Sequence, residues 1–133
     1  MEAFFQYGDQ ELTYLRQSDV RMAGLIERFG MIRREVIPDL FVALVSNIVG
    51  QQVSGKAAAT IFGRLLRTVN TLTPQHVLAV DNESLRQCGL SQRKVNYICA
   101  AADAMQHGTL SKEQLSQLPD EEVVRTLVAL PGI

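Results

Sequence analysis

From Leu40 to Gly55 the chain carries no charged residue, and Leu40-Phe-Val-Ala-Leu-Val-Ser-Asn-Ile-Val49 is dominated by apolar side chains. Leu40, Phe41, Leu44, Val45, Ile48 and Val49 recur at helical spacing, while Val42 and Ala43 fill the opposite side. A helix apolar nearly all round cannot lie on a surface; other helices must wrap it. Asp39 stands where an N-cap is needed. The far end turns polar without becoming charged, through Gly50, Gln51, Gln52, Val53, Ser54 and Gly55 to Lys56. An amide and hydroxyl cluster at the mouth of a core helix is the first place to look for function. Asp39 and Lys56 bracket too short a run to span a bilayer, so no membrane partner is expected.

The remaining sequence reads as helices joined by tight turns. Asp9 is placed to cap a helix carrying Leu12 and Leu15. Ser18 or Asp19 caps a second, in which Met22, Leu25, Ile26 and Phe29 form a stripe ending at Gly30. Ile32 to Pro38 is a break, because the residue before proline avoids the helical region. Ser54 caps a helix over 55–69 with Ala57, Ala58, Ile61, Phe62, Leu65 and Leu66 inward. Thr73-Pro74, Asp81 or Asn82, Ser91, Ser111 and Asp120 open further helices, and Gly89 and Gly108 close two of them. No stretch alternates with period two long enough to need a sheet. The expectation is an all-α fold of about eight helices, with N-terminal helices over 1–38 and a helical middle domain over 39–133.

At 133 residues and 47% hydrophobic, the chain can build one core with an appendage. Met1 to Tyr7 lacks the basic start and apolar middle of a signal peptide, and Cys88 and Cys99 form no Cys-x-x-Cys pair. Both observations favour a cytoplasmic protein. His76 and His107 have no ligand partners at metal spacing, so neither a metal nor a cofactor is expected. Charge is uneven. Residues 40–108 hold six basic against three acidic residues, whereas 1–39 hold five against seven and 109–133 two against four. A mildly basic middle between acidic ends is a weak footprint for DNA.

Gly50-Gln-Gln-Val-Ser-Gly-Lys56 matches G-x-x-x-x-G-K, but Ala57 stands where a P-loop needs Ser or Thr for magnesium. A nucleotide site is therefore not expected there. Val45 to Phe62, Leu85-Arg-Gln-Cys-Gly-Leu-Ser-Gln-Arg-Lys-Val-Asn-Tyr-Ile98 and Leu127-Val-Ala-Leu-Pro-Gly-Ile133 together resemble the helix-hairpin-helix DNA glycosylases, most of all their 3-methyladenine, alkylation-repair branch. The resemblance covers most of 39–133 and is looser before it.

That resemblance implies an enzyme that swings a damaged nucleotide out of double-stranded DNA and hydrolyses its glycosidic bond. Gln52, with Val53 beside it, matches the position that plugs the vacated stack. Gln51 matches a supporting place next to it, and Ser54 and Lys56 belong to the same DNA-facing turn. Arg93 and Lys94 follow a turn where phosphate contact is possible. Leu130, Pro131, Gly132 and Ile133 resemble the opening of the hairpin, whose backbone amides hold a phosphate. The family's catalytic Asp lies beyond Ile133 in this alignment, so no catalytic residue is assigned and the chain alone is expected to be inactive. The alternative is a non-catalytic helical module that binds DNA or protein. Work on DNA would imply a nucleoid-associated place in the cytoplasm. Helices 1–38 would pack on elements that follow the hairpin in the family, which leads to an expectation of self-association.

Overall fold

In the computed structural model, which describes residues 3–133, the chain divides into two units, Met1–Pro38 and Asp39–Ile133. Met1 and Glu2, with which the reading of the N-terminus begins, lie outside the described residues.

The first unit contains β1 (Ala3–Phe4), α1 (Asp9–Ser18), α2 (Val20–Phe29) and β2 (Glu35–Val36). The two short strands pair antiparallel, Ala3 opposite Val36 and Phe4 opposite Glu35, a ladder that no alternation in the sequence announces. The Tyr7 hydroxyl secures it, donating to the Ile32 carbonyl at 2.5 Å and accepting from the Ile32 N–H at 2.7 Å. Helix α1 starts one residue earlier than expected. Gly8 is its N-cap, and Glu11 rather than Asp9 does the capping, accepting from the Gly8 N–H at 2.8 Å. That bond holds the Glu11 carboxyl below its usual range. Asp19 caps α2 through the N–H groups of Arg21 and Met22, and Gly30 ends it at φ 66°. Leu12 and Ile26 are buried where the two helices pack. The rest of the stripe is largely uncovered, in keeping with the missing packing partners expected for these helices: Leu25 and Phe29 are exposed, as is Phe5.

The second unit is built around α3 (Leu40–Gly50) and contains α4 (Gly55–Val69), α5 (Pro74–Ala79), α6 (Asn82–Gln87), α7 (Gln92–Gln106), α8 (Lys112–Leu115) and α9 (Asp120–Val128). The described residues thus form an all-α fold of nine helices, as the periodicities foretold, apart from the small ladder. Each start is set by a side chain accepting from the helix's own first turn: Asp39 from Val42, Ser54 from Ala57, Thr73 from His76, Asp81 from Ser84, Ser91 from Lys94 and Ser111 from Gln114. Helix α9 is the exception, with Pro119 as N-cap and Asp120 as its first residue. Helix α3 packs on α4 and α7, and α7 also receives α5 and α6. Phe41, Val45, Ile48 and Val49 are buried essentially completely, together with Leu65, Val77, Leu85, Val95 and Ile98 from the surrounding helices. Val42 and Ala43 are half-buried, so the wrap is closest on one side. On α4, Leu65 and Val69 carry the contact while Leu66 is left exposed.

Burial of this order makes α3 the most sensitive element. Ile48→Ala should lower the free energy of unfolding by about 2–5 kcal/mol. The exposed neighbour substitution Asn47→Ala should change it by no more than about 0.5 kcal/mol. Urea unfolding of both variants checks the contrast.

Candidate nucleic-acid interface

The core helix delivers its polar end to the surface as a tight knuckle. Gln51 has φ −60° and ψ 126°, and Gln52 follows at φ 55°. These are the angles of a type II turn, whose third position ordinarily takes glycine. Gln52 and Asn70 are the only non-glycine residues with positive φ among the described residues. A left-handed backbone costs an L-residue roughly 1–2 kcal/mol. Gln52 is exposed at the apex, and Val53 beside it is 38% exposed.

Gln51 points the other way. Its side-chain N–H donates to the Gly132 carbonyl at 2.7 Å, and the residue is half-buried. Behind it, the Lys94 ammonium donates to the carbonyls of Val49 at 2.9 Å and Gln51 at 2.7 Å. Helix ends leave such carbonyls without intrahelical partners, and a cation there also meets the negative end of the helix dipole. The sequence treats Arg93 and Lys94 as a pair; the structure separates them. Lys94 is half-buried and turned onto α3, whereas Arg93 is exposed and donates to the Tyr97 hydroxyl at 3.1 and 3.2 Å.

Tyr97 is a residue that sequence reading passed over. Gly132, at φ 86°, lies against its ring so closely that an added Cβ would come within 2.2 Å of Cδ2. Leu130 is half-buried against the core, while Pro131 and Ile133 are exposed. Gln51, Gln52, Ser91, Arg93, Lys94, Tyr97 and Gly132 together line an open cleft of about 410 Å³. Among the described residues no Asp or Glu lines it. Ser54 and Lys56 stand just outside, both exposed on the first turn of α4. None of Lys56, Arg93 and Lys94 makes an ion pair with a described residue.

Two other arrangements are absent. The G-x-x-x-x-G-K segment joins α3 to α4 with no strand before it, so the geometry is not that of a P-loop. Among the described residues no cluster of His, Cys, Asp or Glu could hold a metal ion, and no helix is long and apolar enough to cross a membrane.

Residues 45–130 match the model of the HhH-GPD superfamily of base excision DNA repair proteins. DNA-3-methyladenine glycosylase 1 of Schizosaccharomyces pombe is 27% identical over 139 aligned positions, covering 94% of this chain and 61% of that protein. The crystal structure of a DNA-3-methyladenine glycosidase from Bacillus halodurans superposes with a TM-score of 0.83 at 33% identity, covering 98% of this chain and 61% of that one. A 3-methyladenine DNA glycosylase of Schizosaccharomyces pombe in complex with abasic DNA gives a TM-score of 0.84 at 27% identity, covering 93% and 64%. The chain therefore spans about three fifths of the length of these relatives.

The two turns make opposite demands on their residues. Gln52→Gly should leave stability unchanged or raise it by up to about 1 kcal/mol, since glycine takes positive φ without strain. Gly132→Ala should lower stability, because both the backbone angle and the Tyr97 ring resist a Cβ. Thermal melts of the two variants distinguish these directions.

Proposed function

Because the chain belongs to the HhH-GPD superfamily of base excision DNA repair proteins, we propose that it serves in the hydrolytic removal of alkylated bases, of the 3-methyladenine type, from double-stranded DNA. The observation that carries this reading is the knuckle: an exposed, uncharged glutamine, held at φ 55° at the end of a buried helix, beside a cleft whose only charged lining residues are basic. Extruding a nucleotide leaves a gap in the stack, and refilling it offsets part of the unstacking cost. Gln52 has the reach to enter such a gap, and its amide can bond an orphaned base without bringing a charge. Val53 adds apolar bulk at the same place. In this reading Arg93, Lys56 and Ser54, all exposed near the knuckle, would meet phosphates, and the Gly132 N–H of the Leu130 to Ile133 turn would be a further donor.

Among the described residues, none lining the cleft is an Asp or Glu that could steady a cationic sugar or orient a water. This chain is therefore expected to bind DNA without releasing a base, acting in the cytoplasm at the nucleoid. A second property rests on a separate observation. Leu25, Phe29, Met31 and Ile32 are each half or more exposed in the first unit, and apolar surface of this kind seeks cover. Self-association of the chain follows.

Three measurements test these readings. Against a duplex containing a tetrahydrofuran abasic analogue, the chain should bind more tightly than to the intact duplex, and Gln52→Ala should reduce that preference by roughly tenfold. Equal weakening on both duplexes overturns the plug assignment, and base release from methylated DNA by these 133 residues overturns the expected inactivity. In light scattering the chain should exceed its monomer mass of 14.7 kDa, and the double substitution Phe29→Ser with Ile32→Ser should restore that mass. A monomeric parent chain at micromolar concentration removes the self-association reading.

A further inference from the structure

We propose that Lys94 and Gln51 are positioning residues: they lock the knuckle to α7 and to the Leu130 to Ile133 turn, so that the aim of Gln52 is fixed before DNA arrives. This rests on the plug reading for its purpose, but the lock itself is visible without it.

Three connections converge on one residue. The Gln51 carbonyl accepts from Lys94, its side chain donates to Gly132, and its backbone N–H donates to the Ile48 carbonyl at 3.3 Å, which still belongs to the core helix. Lys94 is 43 residues away in sequence and Gly132 is 81 away, so the knuckle is fixed by distant parts of the chain rather than by its own turn. Lysine suits the task because an ammonium has three donors and can bridge two carbonyls at once. Val49 is 1% exposed, which leaves its carbonyl dependent on a protein donor. Gly132 in turn is seated on Tyr97, which lies on the same helix as Lys94. Knuckle, helix and terminal turn thus form a closed loop of contacts. Gln52 sits outside the loop, exposed and free of the hydrogen bonds that hold its neighbour. Preorganisation of this kind reduces the ordering cost of binding.

Lys94 keeps its charge, but its donors are directed at the Val49 and Gln51 carbonyls rather than at a phosphate, and that separates it from a phosphate contact. Lys94→Met, Lys94→Arg, Gln51→Ala and Gln52→Ala would be compared with the parent chain in two assays. The first, without DNA, is hydrogen exchange. Amides of residues 50–54, 132 and 133 should exchange about tenfold faster in Lys94→Met and Gln51→Ala, more than the rest of the second unit, with partial recovery in Lys94→Arg. Exchange that is unchanged there, or raised evenly throughout, overturns the lock. The second is binding to the tetrahydrofuran and intact duplexes across a salt series. Lys94→Met should lower the preference for the abasic duplex by about tenfold while changing the slope of log affinity against log salt by much less than about one. Equal weakening on both duplexes, with a slope smaller by about one, would make Lys94 a phosphate contact and overturn its positioning role. If Gln52→Ala lowers the preference and Lys94→Met does not, the positioning role falls while the plug reading stands. If Gln52→Ala leaves the preference intact, the plug reading falls, and the exchange assay alone decides whether the lock exists.

Discussion

A buried helix that must end at the surface has to find partners for its last carbonyls, and the second unit is arranged around that constraint. Helix α3 is wrapped by α4 and α7 because its side chains allow nothing else. Its final turn then arrives where water and protein compete for the orphan groups. A glycine could have closed the helix with a standard C-cap. Instead, Gln51 leaves in an extended conformation and a lysine from the neighbouring helix takes the carbonyls. The direction in which the chain leaves α3 is thereby set by α7. Everything exposed on the knuckle, Gln52 first, inherits its orientation from a contact made 43 residues later.

How much of this is legible in the sequence depends on whether the cause is local. Caps are local, and Asp19, Asp39, Ser54, Thr73, Asp81, Ser91 and Ser111 all announce their helices. Asp9 and Asp120 mislead by one position, because acidic residues suit the first turn as well as the cap. The different settings of Gln51, half-buried and bonded, and Gln52, exposed, do not follow from residue type, and only the family resemblance assigns them different roles. Lys94 does not follow from its immediate neighbourhood, where Arg93 looks equivalent. Helical register could have told them apart: Ile98 and Ala101 lie four and seven residues beyond Lys94, and both are fully buried. Lys94 is therefore on the inward stripe, while Arg93 faces Tyr97 on the outer one. What register cannot supply is the target, since the carbonyls it meets belong to another helix.

The first unit shows the complementary limit. Met22, Leu25, Ile26 and Phe29 make a stripe wide enough to be a core face, but within this unit α2 packs on a single helix, α1. One neighbour covers a narrow band, so Ile26 is buried while Leu25 and Phe29 stay exposed, the latter with the Arg28 guanidinium 5.1 Å from its ring. Periodicity reports how much apolar surface a helix carries. It does not report how many neighbours there are to cover it.

The choice of residue at the apex is where stability and the proposed function diverge. Position 52 has the backbone angle of a glycine and the side chain of a glutamine. Nothing in the packing asks for that side chain: it is exposed, and the hydrogen bonds that fix the knuckle run through Gln51 and Lys94. A glycine would relieve the strain and keep every one of those bonds. Strain retained at a position where the fold gains nothing is characteristic of residues that act on something outside the fold. An uncharged amide narrows what that something can be. A lysine or arginine would have favoured the phosphates at the rim, and a leucine would have filled a gap without reading it. Glutamine can enter a base stack with little desolvation penalty for charge and still offer a donor and an acceptor to whatever base has lost its partner.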